Sequence, residues 1–452
     1  MKRVLVANRG EIAVRILRAA RARGLETVAV YSEGDRGALH PTMADRALCI
    51  GPAAAGASYL RAPAIIAAAL GSGCDAIHPG YGFLAENAEF ARLCEEHGLI
   101  FVGPTAETIA RMGDKIAARA SAASLGVPTI PGSQGRTHSA QDARGQAERI
   151  GFPLLLKAAA GGGGRGMRVV RHPAELAAAF AEAEREATAA FNDGALYVER
   201  FLEHVRHVEV QILGDGKEAV VHLGARDCSL QRRSQKLVEE APALAIPPQR
   251  TAEMAEAALR IARALRYRSL GTIEFVYAPQ EDCFFFLEMN TRIQVEHPVT
   301  EMVTGLDLVG LQLRVAAGET LPITQEQVTF RGHAIECRIN AEAPEAGFRP
   351  SPGRITEWAP PSGPSVRVDT HCFPGYVVPP YYDSLLAKMI VHALDRPAAI
   401  AAMALALADF HVAGIATTIP FQRAIMASHD FQRNAVHTKW IEESALLQPA
   451  SR

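Results

Sequence analysis

Apolar and polar residues alternate between two periods along the N-terminal quarter of the chain. Arg3–Ala7, Thr27–Tyr31, Asp75–His78 and Leu99–Val102 are short apolar runs that read as strands. Between them, Glu11–Arg23 carries apolar residues at 12, 13, 16, 17 and 20, the spacing of one helix face. Ala62–Leu70 reads as a second helix. Strands alternating with helices predict a mostly parallel sheet covered by helices.

The pattern changes near Met112. Asp114 is placed to cap a helix running to Leu125, which Gly126 and Pro128 end. From 153 to 202 the chain reads strand (Leu154–Ala158), glycine run, strand (Met167–Val170), helix (Ala174–Ala190) and strand (Leu196–Glu199). From Val205 to Leu287 it is strand-rich, with one helix around Ala252–Leu265. Leu308–Ala317 reads as a helix capped by Asp307 and stopped by Gly318. The last region, 331–440, is β-rich with a helix at Pro397–Ala408. No repeat of solenoid period is present.

Composition narrows the class. A chain of 452 residues suggests about three domains or subdomains. Lys and Arg number 47 against 49 Asp and Glu, a net charge of −2, which argues against a nucleic-acid binder and against a disordered tail. The seven cysteines, at 49, 74, 94, 228, 283, 337 and 372, form no CxxC pair, so a zinc ribbon or disulfide framework is not expected. The longest apolar stretch, near Ala398–Ala408, falls short of the ~20 residues that span a bilayer. Val4–Ala7 stops at Asn8, too short for a signal-peptide core. The expectation is a soluble cytoplasmic protein with no nucleic-acid or membrane partner.

Three segments carry chemistry. The first strand–helix turn, Asn8-Arg9-Gly10-Glu11, lacks the G-x-G-x-x-G fingerprint, so Asp35 alone is weak support for a dinucleotide. Gly161–Gly166 needs a reason for its entropy cost, and backbone N–H groups lying against phosphate supply one. Met167 and Arg168 follow, and a strand rather than a helix, so this is no Walker A loop but the tip of a lid hairpin. Lys157 precedes it and adds a point charge. Next, a hairpin centred on Glu281 sets Glu274 opposite Glu288, with Asn290 on the same face. Opposed carboxylates repel unless a cation such as Mg²⁺ lies between them. Third, an extended strand through 288–296 would align Glu288, Asn290, Arg292, Gln294 and Glu296, enough to bind a small anion and offer a general base. A floppy turn, a solvated acidic pair and a solvated strand face are the competing readings of these segments taken singly. His207, Glu209 and Gln211 form a polar strand face, and Gln231–Lys236 is a basic run. His78–Gly82 is a loop after a strand, and Arg338 sits on a strand where a salt bridge is the plainer reading.

Together these segments resemble the biotin carboxylase family of the ATP-grasp superfamily. The resemblance covers ANRGEIAVRILRA at 7–19, HPGYGFLAEN at 78–87, MGDK at 112–115 and GGGGRGMRVV at 161–170. It continues through RHVEVQ at 206–211, EMNTRIQVEHPVTE at 288–301, ECRIN at 336–340 and PPYYDS at 379–384. It implies an α/β (α+β) ATP-grasp fold. A Rossmann-like domain would cover 1–113, the ATP-grasp domain 114–318 with a lid at 129–203, and the C-terminal domain 331–440. It also implies a reaction: ATP phosphorylates bicarbonate to carboxyphosphate, and CO₂ passes to N1′ of biotin on another protein. Lys115, Lys157, Gly162, Gly163, Gly164, Arg165, Gly166, Met167, Glu199, Leu202, His207 and Gln231 would hold ATP. Glu274, Glu288 and Asn290 would hold Mg²⁺ or Mn²⁺, two ions in all. Lys236, Arg292, Gln294 and the Val295 backbone would hold bicarbonate, with Glu296 as base. Arg338 would stabilise the biotin enolate, with Tyr81 and Asp383 near the biotin ring. Lys236, Arg292, Glu296 and Arg338 form the implied catalytic set.

One position departs from the family: Ser234 stands where QRRHQK has histidine. A non-catalytic nucleotide-binding regulator of the same fold, or another ATP-grasp ligase, are the alternatives. No biotin-acceptor AMKM motif is present, Ala387-Lys388-Met389 being a partial match. The resemblance therefore implies a biotin carboxyl carrier protein and carboxyltransferase subunits as partners, in an acetyl-CoA or other acyl-CoA carboxylase of fatty-acid synthesis, and a homodimer.

Overall fold

The computed structural model describes residues 1–133, 135–158, 167–191 and 193–447. At the N-terminus five parallel strands lie in the order Arg46–Cys49, Glu26–Tyr31, Arg3–Val6, Ala76–His78, Ile100–Phe101. Helix Gly10–Ala22 buries Ile12, Ala13, Ile16, Leu17 and Ala20, the positions its apolar period marks. The strand order reverses between Arg3–Val6 and Ala76–His78, and in open α/β sheets ligands bind beyond the strand ends at such a point. The two turns leaving these strands meet there: the Asn8 amide donates to the carbonyls of Pro79 and Tyr81, both at 2.7 Å. Asp35 is no ribose acid here. It is buried in a bidentate ion pair with Arg9, at 2.7 and 2.9 Å.

Asp114 caps helix Lys115–Ser124 as expected, accepting from the N–H groups of Ile116 and Ala117. The chain then builds a small unit of three antiparallel strands, Arg168–Val170, Leu154–Ala158 and Leu196–Arg200. Helices Ala140–Ile150 and Leu176–Phe191 cover it, around a core of Leu154, Leu156, Val170, Phe180 and Val198.

The largest sheet has eight antiparallel strands. Their order is Cys283–Asn290, Arg268–Ala278, Arg206–Asp215, Val220–Arg232, Gln235–Ala241, His333–Asn340, Leu385–Ala393 and Val366–Thr370. Three strands from beyond residue 331 thus continue the sheet begun by the middle of the chain. Helix Pro248–Ala264 packs its Met254, Ala258 and Ile261 against one face, with Ile212, Ile273 and Phe275. The parallel and antiparallel sheets make the chain the expected mixture of α/β and α+β. Among the described residues no helix is long and apolar enough to cross a membrane.

Candidate active site

A row of four charged residues crosses the large sheet in register: Arg226 faces Glu209, Glu209 faces Glu274, and Glu274 faces Glu288. The hairpin read from the sequence therefore opposes the two carboxylates it was expected to oppose. Three neighbouring carboxylates destabilise a sheet unless cations intervene. Arg226, fully buried, closes one end of the row at 2.9 Å from Glu209 Oε2. Lys236 Nζ reaches over the middle, touching Glu209 and lying 3.2 Å from Glu274 and 2.7 Å from Glu296. Burial disfavours its charge, but the three carboxylates outweigh burial and hold the ammonium well above its ordinary pKa. His207 Nε2 sits 2.7 Å from the second Glu274 oxygen.

Glu288 ends the row with much less compensation. Its partner Lys115 is 3.7 Å away. Burial, then the charge of Glu274, raise its pKa above its ordinary value. A carboxylate that resists ionisation beside a second one is short of positive charge. The oxygen donors of Glu274 and Glu288 suit a hard cation. Asn290 stands beside them, its amide donating to Glu274 at 2.7 Å.

The strand does not continue to Glu296. It ends at Asn290, and helix His297–Thr304 begins seven residues on, with Pro298 in its first turn. Arg292, Gln294 and Glu296 therefore reach the site from an irregular segment, not from one strand face. Arg292 Nε donates to Glu86 at 2.8 Å, and its other nitrogens to Asn290 Oδ1 and the Ile293 carbonyl. The Gln294 amide donates to Glu274 at 3.0 Å. Glu296, 0% exposed, is held from both sides: Lys236 at 2.7 Å and Arg338 at 3.0 Å. Burial pushes its pKa up, but Lys236 foremost, with Arg338 and Arg226, brings it below its ordinary value. The result is a carboxylate held in its charged form inside a cationic pocket.

The remaining candidates surround this cluster. Gln231 Nε2 lies 3.2 Å from His207 Nδ1, and Lys157 pairs with Glu199. Leu202 packs with Ile130, Val205, Val276, Phe285 and Leu287 in an apolar patch, and Met167 is half-buried just before its strand. Gly162, Gly163, Gly164, Arg165 and Gly166 lie outside the described residues; the strands flanking them pair antiparallel. Tyr81 and Asp383 line one cavity of about 120 Å³ at the reversal of the parallel sheet. The Tyr81 hydroxyl donates to Glu11 in its wall.

Five residues that complete the cluster were not singled out from sequence: Arg226, Glu239, Glu86, Glu11 and Lys388. Glu239 holds Arg338, its Oε1 accepting from Nε at 2.6 Å. Lys388, fully buried, donates to the Val295 carbonyl at 2.9 Å and pairs with Glu11 at 3.1 Å. Glu86 and Glu11 fall inside the motifs at 78–87 and 7–19. The others are charges on strands, a weaker signal, which becomes specific only when the register is known.

Comparison with known proteins extends over the whole chain. Residues 1–109 match the family model "Biotin carboxylase, N-terminal domain". Residues 114–324 match "Carbamoyl-phosphate synthase L chain, ATP binding domain", and 336–443 match "Biotin carboxylase C-terminal domain". The chain is 52% identical over 441 residues to a biotin carboxylase of Nostoc sp., covering 98% of each. It is 48% identical over 441 residues to a pyruvate carboxylase subunit from Methanothermobacter thermautotrophicus, covering 98% of this chain and 89% of that one. The biotin carboxylase–β,γ-ATP complex of Campylobacter jejuni superposes with a TM-score of 0.95 at 47% identity, covering 98% and 99% of the two chains. The biotin carboxylase domain dimer of Hydrogenobacter thermophilus 2-oxoglutarate carboxylase, with MgADP, ADP and bicarbonate, also gives 0.95 at 47% identity, covering 100% and 99%.

Proposed function

The chain belongs to the biotin carboxylase family, and from that premise we propose that it uses ATP and bicarbonate to carboxylate biotin carried on a separate protein. The observation that carries the reading is Glu296: a buried, ionised carboxylate clamped between Lys236 and Arg338 beside a carboxylate row. Bicarbonate is a weak nucleophile. Lys236, Arg292, Gln294 and the Val295 backbone hold it, and Glu296 removes its proton so that its oxygen can attack the γ-phosphorus of ATP. ADP leaves; carboxyphosphate breaks down to CO₂ and phosphate, the phosphate takes the proton from N1′ of biotin, and N1′ forms its bond to the CO₂ carbon. Arg338 stabilises the enolate form of biotin electrostatically, in a pocket that Tyr81 and Asp383 help to line.

ATP would lie between the lid and the large sheet. Lys115, Lys157, His207 and Gln231 would face its polar groups, Glu199, Leu202 and Met167 would line it, and the glycines and Arg165 of 162–166 would contribute to ATP binding. Glu274, Glu288 and Asn290 would hold Mg²⁺ or Mn²⁺, two ions in all, which neutralise the phosphates when bound. The unmet charge of Glu288 fits that role.

The partners we propose are a biotin carboxyl carrier protein, carboxyltransferase subunits and a second copy of this chain, in the cytoplasm. The Hydrogenobacter dimer supports the last pairing. An acyl-CoA carboxylase of fatty-acid synthesis is our reading of the assembly, and relatives named for pyruvate and 2-oxoglutarate mark the competing acceptors. The decisive test is transfer of labelled bicarbonate to free biotin with MgATP. Label in biotin, with one ADP formed per carboxylation, is expected. ATP binding without label in biotin would leave the regulator instead.

A further inference from the structure

A second cluster lies away from the carboxylate row, where the three-stranded unit returns to the large sheet. His204 stands in the connection between Leu196–Arg200 and Arg206–Asp215, half exposed and with a left-handed φ of 50°. His437 and Glu443 lie beside it, before and at the end of the short helix Trp440–Glu443. The two imidazoles pack with centroids 4.3 Å apart and planes at 43°. His204 Nε2 is 3.5 Å and His437 Nε2 3.6 Å from the same oxygen, Glu443 Oε2. All three ligand atoms lie within 4.8 Å of one another.

These separations are long for charge-assisted hydrogen bonds, which run about 2.7–2.9 Å. They are close to what a tetrahedral ion imposes. Ligands at about 2.0–2.1 Å from zinc stand about 3.3–3.4 Å apart. Two imidazole nitrogens and one carboxylate oxygen select a borderline ion such as Zn²⁺ over Mg²⁺, whose preference is for oxygen donors. The site is also pre-assembled. The Thr438 N–H donates to the Val205 carbonyl at 3.0 Å, and Arg206 reaches Asn434 Oδ1 at 3.0 Å. One contact opposes loading: the Lys439 N–H points at His437 Nδ1 at 3.2 Å, and a ring bound through Nε2 carries its proton on Nδ1. Binding must displace this single contact.

The geometry points to a divalent transition-metal site formed by His204, His437 and Glu443, for an ion of the zinc class with water in the fourth position. Its place gives it a consequence. It fastens the connection leaving the small three-stranded unit to the C-terminal region. None of the three residues belongs to the carboxylate cluster.

Titration of the metal-stripped protein with Co²⁺, with Mg²⁺ in excess to occupy oxygen-only sites, tests it directly. The visible d–d spectrum of one tetrahedral equivalent is expected in the wild type and lost in His204→Asn and Glu443→Gln. Asparagine tolerates the left-handed backbone of position 204, so the variant fold is preserved, which an unchanged metal-free melting temperature checks. Zn²⁺ should raise the melting temperature of the wild type and not of either variant. Identical spectra and identical Zn²⁺ shifts in wild type and His204→Asn, or no tetrahedral signal in the wild type, would overturn the site.

Discussion

Lys236 Nζ lies 2.7 Å from Glu296 Oε1 while also contacting Glu209 and Glu274, so one ammonium serves three buried carboxylates. Removing Glu296 leaves Lys236 two partners, and the cationic pocket survives without its base. Glu296→Ala should therefore keep ATP affinity and lose turnover by roughly 10²–10⁴-fold, the usual worth of a positioned base. ATP binding and bicarbonate-dependent ADP release, measured on the same sample, separate the two. Wild-type turnover in the variant would take Glu296 out of the reaction.

Glu240 gives a pH dependence whose sign can be worked out. Burial raises its pKa, but hydrogen bonds from His333 and Arg396 overcome burial and bring it down to about 2. Arg396 is bidentate, at 2.7 and 3.0 Å, and His333 lies at 2.9 Å. A depressed carboxylate contributes its stability above the unfolded pKa, near 4.3, and loses it as pH falls through the folded value. The pair is worth about 3 kcal/mol at neutral pH on that basis. Unfolding free energies of wild type and Glu240→Gln, taken from urea titrations, should differ by that order at pH 7 and converge as pH falls from about 4.5 to 2. A gap that stays constant across this window would remove the pair from the acid response.

How far the sequence revealed this site depends on the range over which each feature is determined. The Asp114 and Asp307 caps are local, set by turn chemistry, and could be read directly. The Glu274–Glu288 opposition was read as well, but the hairpin turn alone sets Phe275 against Phe286, and a register shift between Glu274 and Phe275 brings Glu274 to Glu288. The extended reading of 288–296 failed because Pro298 opens a helix, and the segment before it has to turn away from the sheet. The Arg226–Glu209 pairing lies beyond a register shift between His222 and Ala225, and the Glu239–Arg338 contact joins strands 99 residues apart; no local period encodes either register. Lys388 was hidden in the same way. On its strand it is one charge among apolar residues, and only the fold brings it to Val295 and Glu11.

Lys388 supports a prediction of its own. Its ammonium is fully buried and fixes the carbonyl of Val295, in the segment that carries Gln294 and Glu296. Lys388→Met retains the stem and removes the donor. Loss of a hydrogen bond of about 1.5 kcal/mol to a charged group would loosen the bicarbonate cradle and raise the bicarbonate KM roughly tenfold. The ATP KM should change less. Equal loss in both would mean that Lys388 supports the fold at large rather than the cradle.

Ser234 provides the sharpest test of the one departure from the family pattern. Arg233 and Ser234 both take left-handed φ, 50° and 65°, between the paired residues Arg232 and Gln235. They form a two-residue hairpin turn with exposed side chains. The turn is anchored independently of residue 234. The Arg233 N–H donates to Glu442 at 2.8 Å, and Arg232 stacks on the Phe348 ring at 4.2 Å. Histidine tolerates a positive φ better than most residues, so Ser234→His should fold unchanged and leave Lys236, two residues on, where it is. On the proposed reading, in which Gln231 and Lys236 of the same hairpin face the substrates, the added imidazole would act on bound nucleotide. Its expected effect is a fall in the ATP KM of up to roughly tenfold, with kcat for free biotin unchanged, the pattern of uniform binding. A rise in kcat at constant KM would mean that position 234 works in the transition state, and that serine there slows the chemical step.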